Sequence, residues 1–353
     1  MTLQIRTSDE DGQRIVWFED QSSDLSGVIA LDSLALGPAA GGCRFWHYDD
    51  PEDMLRDARR LARGMSYKNA MAGLPLGGGK SVIQRPRGPF DREALFRAFG
   101  RVLDELRGDY LTAEDVGTSP RDMEIARAVS PFVLGLPANG TTAGGDPSPW
   151  TALGVFLCIE HALARRGIAL AGSQIAVQGL GNVGAGLCRT LHDHGARLIV
   201  ADVHGHAVER LLADVPAEVV LAEDIHRSAV DLFAPCALGG GLNPETIPHI
   251  QARLVVGAAN NQLASTSDDE HLSSRGILYA PDYIVNAGGI INVAAEYLGN
   301  QQGEVRDRVR RIPDRLAAVL DRAEATGQSP SRVADAMALD LIGAATPGQR
   351  SPA

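Results

Sequence analysis

The feature that most constrains this chain is Gln178-Gly179-Leu180-Gly181-Asn182-Val183-Gly184, a GxGxxG run directly after the stretch Gln174–Gln178. The spacing suits a strand–turn–helix corner. The first glycine permits a tight turn, the second lets a pyrophosphate approach the backbone, and the third packs helix on strand. A helix predicted over Asn182–His194 then points its unpaired N–H groups at the phosphates. GxGxxG alone is a weak signal, and its bland reading is a structural turn in another α/β fold. The next strand, Arg197–Ala201, sharpens it by ending at Asp202, 23 residues past Gly179. An acid there accepts hydrogen bonds from the adenosine ribose and repels a 2′-phosphate, which favours NAD over NADP. Gly179, Gly181, Asn182, Val183, Gly184 and Asp202 are therefore the candidate cofactor-binding residues.

Further strands are expected at Val230–Ala234, Leu254–Gly257 and Gly276–Ala280. Short apolar strands alternating with helices make a parallel α/β sheet. The N-terminal half predicts strands at Arg14–Phe18, Gly27–Leu31, Ser81–Gln84 and Tyr110–Ala113. Its helices begin at Asp50-Pro51 (running to about Met65), Asp91 and Ser119-Pro120. Between the halves, Leu136–Pro149 carries glycines and prolines without apolar period and is the best domain boundary. A helix opens at Ser148-Pro149, and the last 50 residues read as helical. A length of 353 residues fits two domains.

Composition excludes several classes. The net charge is −11 and no long Lys/Arg cluster occurs, which argues against nucleic acid or anionic membrane as partner. Met1–Gln13 is polar and lacks the apolar core of a signal peptide, and no apolar run reaches about 18 residues. Cys43, Cys158, Cys188 and Cys236 lie far apart, which fits reduced thiols in a cytoplasmic protein. His192 and His194, like His204 and His206, are two residues apart and do not share a helix face, so no metal site is expected.

Of 33 basic residues only two are lysines, Lys68 and Lys80; the other 31 are arginines. Genomic bias explains Arg in general, but not why Lys persists at two sites flanking Gly77-Gly78-Gly79. A lysine ammonium can lose its proton in a protein and a guanidinium cannot. The plain alternative is chance and surface placement, which the count alone leaves at even weight. A 2-amino or 2-oxo acid needs a cation for its carboxylate and a group that polarises a carbonyl or holds a water, and lysine fits both needs. Thr112-Ala113-Glu114-Asp115-Val116-Gly117 closes a predicted strand, where catalytic groups gather in α/β domains. Asp115 there is a candidate proton shuttle, or else a solvated loop carboxylate.

Other segments extend the pattern: Gly37-Pro-Ala-Ala-Gly-Gly42 with Arg44, Pro147-Ser-Pro149 with Thr151, Ala234-Pro-Cys-Ala237, Ala258-Ala-Asn260-Asn261, and Ala280-Pro-Asp282 through Asn286-Ala-Gly-Gly289. With the lysines, Asp115 and the GxGxxG run, they resemble the glutamate/leucine/phenylalanine/valine dehydrogenase family, its leucine dehydrogenase branch most. The resemblance spans nearly the whole chain in the family's order. It implies reversible, NAD-dependent oxidative deamination of an L-amino acid to the 2-oxo acid and ammonia.

The same resemblance implies roles. Lys68 would bind the substrate carboxylate, helped by Gly41, Gly42 and an Asn at 260 or 261. Lys80 would polarise the carbonyl and position the attacking water, and Asp115 would exchange protons with the amino group and that water. Thr151 would hold the nicotinamide amide, with Ala237 and Asn261 near its ribose. The side-chain pocket would be Ala40, Ala113, Ile290 and Val293, all apolar, so branched-chain aliphatic substrates such as leucine are expected over glutamate. The implied fold has a substrate-binding and oligomerisation domain over residues 1–140, joined by helices from about 325 to 353. An NAD-binding Rossmann domain spans 141–324, and the cleft between the two holds the substrate. A homo-oligomer is expected.

Two positions depart from the family. Cys43 replaces a Thr common in relatives, and Ala40 stands where leucine-preferring members often carry Leu. A phenylalanine or other aromatic amino-acid dehydrogenase is thus the runner-up. A catalytically silent NAD-binding homologue and an unrelated hydroxy-acid dehydrogenase are the readings of other classes.

Overall fold

Strand pairing begins earlier in the chain than its apolar runs suggest. β1 (Gln4–Glu10) is polar and mostly exposed, yet it pairs antiparallel with β2 (Gln13–Asp20) along its whole length. The cause is the Asp11-Gly12 turn, where both residues adopt positive φ (46° and 79°), as a tight hairpin demands. β3 (Leu25–Ser33), β4 (Ala39–Trp46), α1 (Pro51–Met71), β5 (Gly77–Gln84), α2 (Arg92–Glu105), β6 (Tyr110–Glu114) and α3 (Pro120–Arg127) follow. This is a computed structural model, and it describes residues 3–136 and 143–345.

The six strands form one mixed sheet in the order β1-β2-β3-β5-β4-β6. β1, β2, β3 and β5 pair antiparallel, whereas β4 runs parallel to both β5 and β6. Asp50 caps α1 through the Glu52 amide with Pro51 in the first turn, and the helix runs six residues past the expected Met65. Gly64 does not end it, because the turns beyond it bury Ser66, Asn69, Ala70 and Met71. The three glycines before Lys80 are inside β5, not ahead of it. A side chain at Gly78 would strike Ser66 and Ala62 of α1, and one at Gly79 would meet the Tyr110 ring at 2.8 Å. Helix and sheet therefore pack too closely there for any Cβ. Opposite faces of the sheet feed two cores. Met54, Ala58 and Ala62 of α1 pack on Val82, and Phe96, Phe99 and Leu103 of α2 pack on Phe45, Ile83 and Tyr110.

The C-terminal half starts with α4 (Ser148–Arg165) and continues β7 (Gln174–Gln178), α5 (Asn182–Asp193), β8 (Arg197–Ala201), α6 (Gly205–Leu212), β9 (Glu218–Val219), β10 (Leu232–Pro235), β11 (Leu254–Val255), α7 (Asp268–Ser274) and β12 (Leu278–Tyr279). All five strand pairs are parallel, in the order β12-β11-β10-β7-β8-β9. That is the doubly wound dinucleotide-binding order, with its switch point between β7 and β10. α8 (Asp282–Val285), α9 (Gly288–Tyr297), α10 (Gln302–Val309), α11 (Ile312–Thr326) and α12 (Pro330–Gly343) complete the chain. No helix among the described residues is long and apolar enough to cross a membrane.

The chain divides into two compact units, and their limits differ from the expected ones. The boundary falls between Asp146 and Pro147 rather than at 140; residues 137–142, in the middle of the expected linker, lie outside the described residues. Val293–Gln302 belongs to the first unit, because the Glu296 carboxylate accepts the Gly135 amide at 2.7 Å and Ala143 donates to the Asn300 carbonyl. The C-terminal return begins at Ala338, not near 325. α11 stays with the second unit because it packs on α4, burying Leu316, Val319 and Leu320. The start of α12 is held there by the Ser331 amide, which donates to Asp269 at 2.6 Å.

Candidate active site

Strand periodicity selects which side chains meet in the first unit. Ala39, Cys43 and Phe45 of β4 enter the α2-side core with Ile83 and Tyr110. Alternation then places Ala40, Gly42 and Arg44 on the opposite face, with Gly78, Lys80 and Val82 of β5 and Leu111 and Ala113 of β6. In register, Ala40 lies beside Gly78 and Leu111, and Gly42 beside Ala113. Lys80, 5% exposed, reaches Asp115 just past the end of β6, with Nζ 2.7 Å from Oδ2. A Cβ at Gly42 would sit 2.7 Å from Asp115 Cβ and 3.2 Å from Lys80 Nζ, so this glycine is required by the ion pair itself. One at Gly41 would strike the Gly79 carbonyl.

The turn carrying Asp115 is fastened to β4. Thr118 Oγ1 accepts the Asp115 amide at 2.9 Å and lies 3.1 Å from the Cys43 carbonyl, and the Phe45 amide donates to Val116. Burial pushes the Asp115 carboxyl up, but the charge and hydrogen bond of Lys80, together with Arg44, outweigh it and hold the group below the usual carboxylate range. Beneath the pair, the buried Tyr110 hydroxyl accepts the Ser81 amide at 2.9 Å and lies 3.1 Å from the Gly41 carbonyl. It ties the backbone at Ser81, next to Lys80, to that at Gly41, next to Gly42.

Lys68 occupies the last turn of α1, where a cation is favoured by the helix dipole. That turn is pinned by its buried neighbour Asn69, whose Nδ2 donates to the Gly77 carbonyl at 2.6 Å. Ala40 is buried and Ala113 half-buried, and a Cβ on Gly135 would lie 3.8 Å from the Ala113 methyl. Burial pushes the Cys43 thiol up to about 12, which keeps it protonated and unsuited as a nucleophile.

In the second unit the three glycines separate by task. Gly179 has φ +94°, and a Cβ there would lie 2.8 Å from the Ala237 amide, across the switch point between β7 and β10. At Gly184 a Cβ would strike the Gly179 carbonyl, so it serves helix–strand packing. Nothing lies within 4 Å of the Gly181 position, at the N-terminus of α5, so Asn182 and Val183 present an open helix end. That cradle fits a pyrophosphate. Both Asp202 oxygens accept backbone amides, from Leu180 at 2.6 Å and His204 at 2.8 Å. Each oxygen keeps a lone pair for a ribose hydroxyl.

Thr151 donates to the Pro147 carbonyl at 3.1 Å, and a Cβ at Gly289 would sit 2.8 Å from its Oγ1. Asn260 and Asn261 form an exposed loop against Gly239 and Gly240. Asn261 has φ +51° and accepts the Gly240 amide at 2.7 Å, and Asn260 Oδ1 accepts Asn286 Nδ2 at 2.8 Å. Ile290 and Val293 sit three apart on α9 and share a helical face, but Ile290 belongs to the second unit and Val293 to the first.

These two clusters correspond to two matched family regions. The chain matches the Glu/Leu/Phe/Val dehydrogenase dimerisation domain over residues 13–129, and Glutamate/Leucine/Phenylalanine/Valine dehydrogenase over 146–211 and 203–346. The chain belongs to the Glu/Leu/Phe/Val dehydrogenase family. It is 44% identical to leucine dehydrogenase of Bacillus subtilis, covering 94% of this chain and 92% of that one. Valine dehydrogenase of Streptomyces albus is 42% identical, with 94% and 92% covered. The crystal structure of L-tryptophan dehydrogenase from Nostoc punctiforme superposes with a TM-score of 0.83 at 40% identity, covering 94% of this chain and 96% of that one.

This dehydrogenase is thus an amino-acid dehydrogenase that deaminates its substrate oxidatively, and relatives named for leucine, valine and tryptophan leave the side chain open. The enzyme's Lys80–Asp115 contact can hold and exchange a proton, and its open α5 N-terminus can hold phosphates. Sequence reading passed over Thr118, Tyr110 and Asn69, whose work is to hold backbone; no spacing rule flags such residues. Arg44 carries no assigned role in the sequence pattern.

Proposed function

We propose that this enzyme catalyses the reversible NAD-dependent oxidative deamination of an aliphatic L-amino acid, leucine foremost, and works as a homo-oligomer. The observation that carries the reading is the 2.7 Å contact of the buried Lys80 with the half-buried Asp115, closed in by Gly42 on a face whose other small side chains are Ala40 and Ala113. NAD, when bound, supplies the hydride acceptor. Gly179, Gly181, Asn182, Val183 and Gly184 cradle its pyrophosphate and Asp202 its adenosine ribose, while Thr151, Ala237 and Asn261 meet the nicotinamide end.

Lys68, with Gly41 and Gly42, holds the substrate carboxylate. Lys80 keeps a water against the oxidised Cα and stabilises the negative oxygen that develops there. Asp115 takes the proton from that water and returns it to the departing ammonia. Ala40 and Ala113 are apolar, so a glutamate side chain against them would be buried unpaired, at a cost on the order of several kcal/mol. The Ala113 methyl narrows the site against large rings.

The deciding experiment compares kcat/KM for L-Leu, L-Val, L-Ile, L-Phe, L-Trp and L-Glu with NAD and with NADP. The proposal expects L-Leu, L-Val or L-Ile with NAD to lead. An L-Phe or L-Trp value about tenfold above L-Leu would overturn the substrate, and NADP equal to NAD would overturn the cofactor. The dimerisation-domain match supports the oligomer, which light scattering tests directly.

A further inference from the structure

Arg44 ties the catalytic pair to a second carboxylate. Its side chain, 20% exposed, leaves β4 on the Lys80 face, with Nη1 2.5 Å from Asp57 Oδ2. Asp57 sits on α1, where its Oδ2 also accepts the Tyr48 hydroxyl at 2.6 Å and its Oδ1 accepts Arg60 at 3.1 Å. Arg44 Nε lies 3.4 Å from Asp115 Oδ2, the same oxygen that meets Lys80, and this buried N–H makes no hydrogen bond. Charges thus alternate in a line: Lys80, Asp115, Arg44, Asp57, Arg60.

We infer that Arg44 is a positioning residue that keeps the Asp115 carboxylate in place while Lys80 engages the substrate. The inference rests on the proposed roles of Lys80 and Asp115. Lys80 also has to direct donors at the substrate oxygen or water, and its charge is then shared between that oxygen and Asp115. A carboxylate with 25% side-chain exposure is then held less firmly by its nearest partner. Arg44 Nε closes the gap by moving about 0.5 Å to a charge-assisted hydrogen-bond distance. The fork cannot turn away, because Nη1 is committed to Asp57, itself held by Tyr48 and Arg60. Among the described residues, the charged and titratable groups that bear on Asp115 include Lys80 from β5 and Arg44 and the neutral Cys43 thiol from β4. Beside Lys80, Arg44 is the cation among the described residues whose charge bears on this carboxylate. Losing it moves the carboxylate and makes it easier to protonate.

The test measures kcat, KM and the pH profile of kcat/KM for Arg44→Ala and Arg44→Lys, beside Asp115→Asn and with cofactor affinity and thermal unfolding as controls. Arg44→Ala is expected to lower kcat about 10- to 100-fold with cofactor affinity kept. The acid limb of its profile should move to higher pH, and added guanidinium should restore part of kcat. Arg44→Lys, which keeps charge without the fork, should fall between. Arg44→Ala within about threefold of wild type, with the limb unmoved, overturns the inference. So does a loss of activity that follows unfolding and that guanidinium leaves unchanged. Asp115→Asn within about threefold of wild type would instead sink the assigned role of Asp115, on which this inference stands; a dead Asp115→Asn beside a normal Arg44→Ala sinks the inference alone.

Discussion

Gly42→Ala tests the catalytic pair without removing any functional group. The added methyl would start 2.7 Å from Asp115 Cβ, 3.0 Å from the Glu114 carbonyl and 3.2 Å from Lys80 Nζ. Carbon–carbon contacts relax at about 3.5–4.0 Å, so the Asp115 side chain must retreat by roughly 1 Å. Its backbone cannot follow, being fastened by Thr118 and by the Phe45–Val116 hydrogen bond. The retreat therefore falls on the carboxylate, and the 2.7 Å contact with Lys80 opens. Overpacking of this kind costs about 1–3 kcal/mol of stability. A 1 Å misplacement of a catalytic group costs about 100-fold in rate, or about 2.7 kcal/mol of barrier. The expected variant is folded, binds NAD as wild type does, and turns over about 100-fold more slowly. Steady-state kinetics, a cofactor titration and a denaturant melt read these three quantities. Gly41→Ala is the contrast: its methyl meets the Gly79 carbonyl, which cannot swing aside without parting β4 from β5, so that variant should not fold. A folded Gly42→Ala enzyme with kcat within about threefold of wild type would refute the argument that this ion pair's geometry governs turnover.

Lys80→Arg should keep fold and cofactor binding while losing most turnover, since a guanidinium is wider and cannot give up its proton; turnover within about threefold of wild type would show that Lys80 does not do the chemistry. Gly181→Ala should change stability by no more than about 1 kcal/mol because its surroundings are open, yet weaken NAD at least about tenfold if the pyrophosphate lies there; an unchanged NAD Kd by calorimetry contradicts the cradle. Asp115 has a folded pKa below its unfolded value, so its contribution is full above the unfolded pKa and is lost as pH falls through the folded one. Between neutral pH and strongly acid pH, denaturant melts should thus show wild type losing more stability than Asp115→Asn, and parallel losses would contradict that direction. Burial pushes the Cys43, Cys158 and Cys188 thiols up, so iodoacetamide at neutral pH should leave the native enzyme active; rapid inactivation protected by substrate would contradict it.

What the linear chain settles by itself is local. GxGxxG between an apolar run and a helix, with Asp202 closing the next strand, dictates the turn and the acceptor, because both depend on residues within one β–α–β unit. Likewise Asp50-Pro51 starts α1 wherever that helix later packs. β1 is not among the strands that apolar period predicts: its residues are polar, and only the Asp11-Gly12 turn and the pairing with β2 make it a strand. Other features depend on approaches between distant segments. The glycines of β5 fall ahead of the strand predicted at Ser81–Gln84, yet they lie inside it, with α1 against Gly78 and the Tyr110 ring against Gly79. The C-terminal helices divide between the units according to what their apolar faces and carboxylates meet, as α11 does on α4 and Glu296 does at Gly135, and helical period does not encode a partner. Lys80 and Asp115 lie 35 residues apart in sequence and 2.7 Å apart in space only because β5, β4 and β6 run side by side and parallel. Arg44 reaches that pair from the strand between them, for alternation along β4 puts it two residues past Gly42 on the same face, and only sheet register decides which side chains that face brings together.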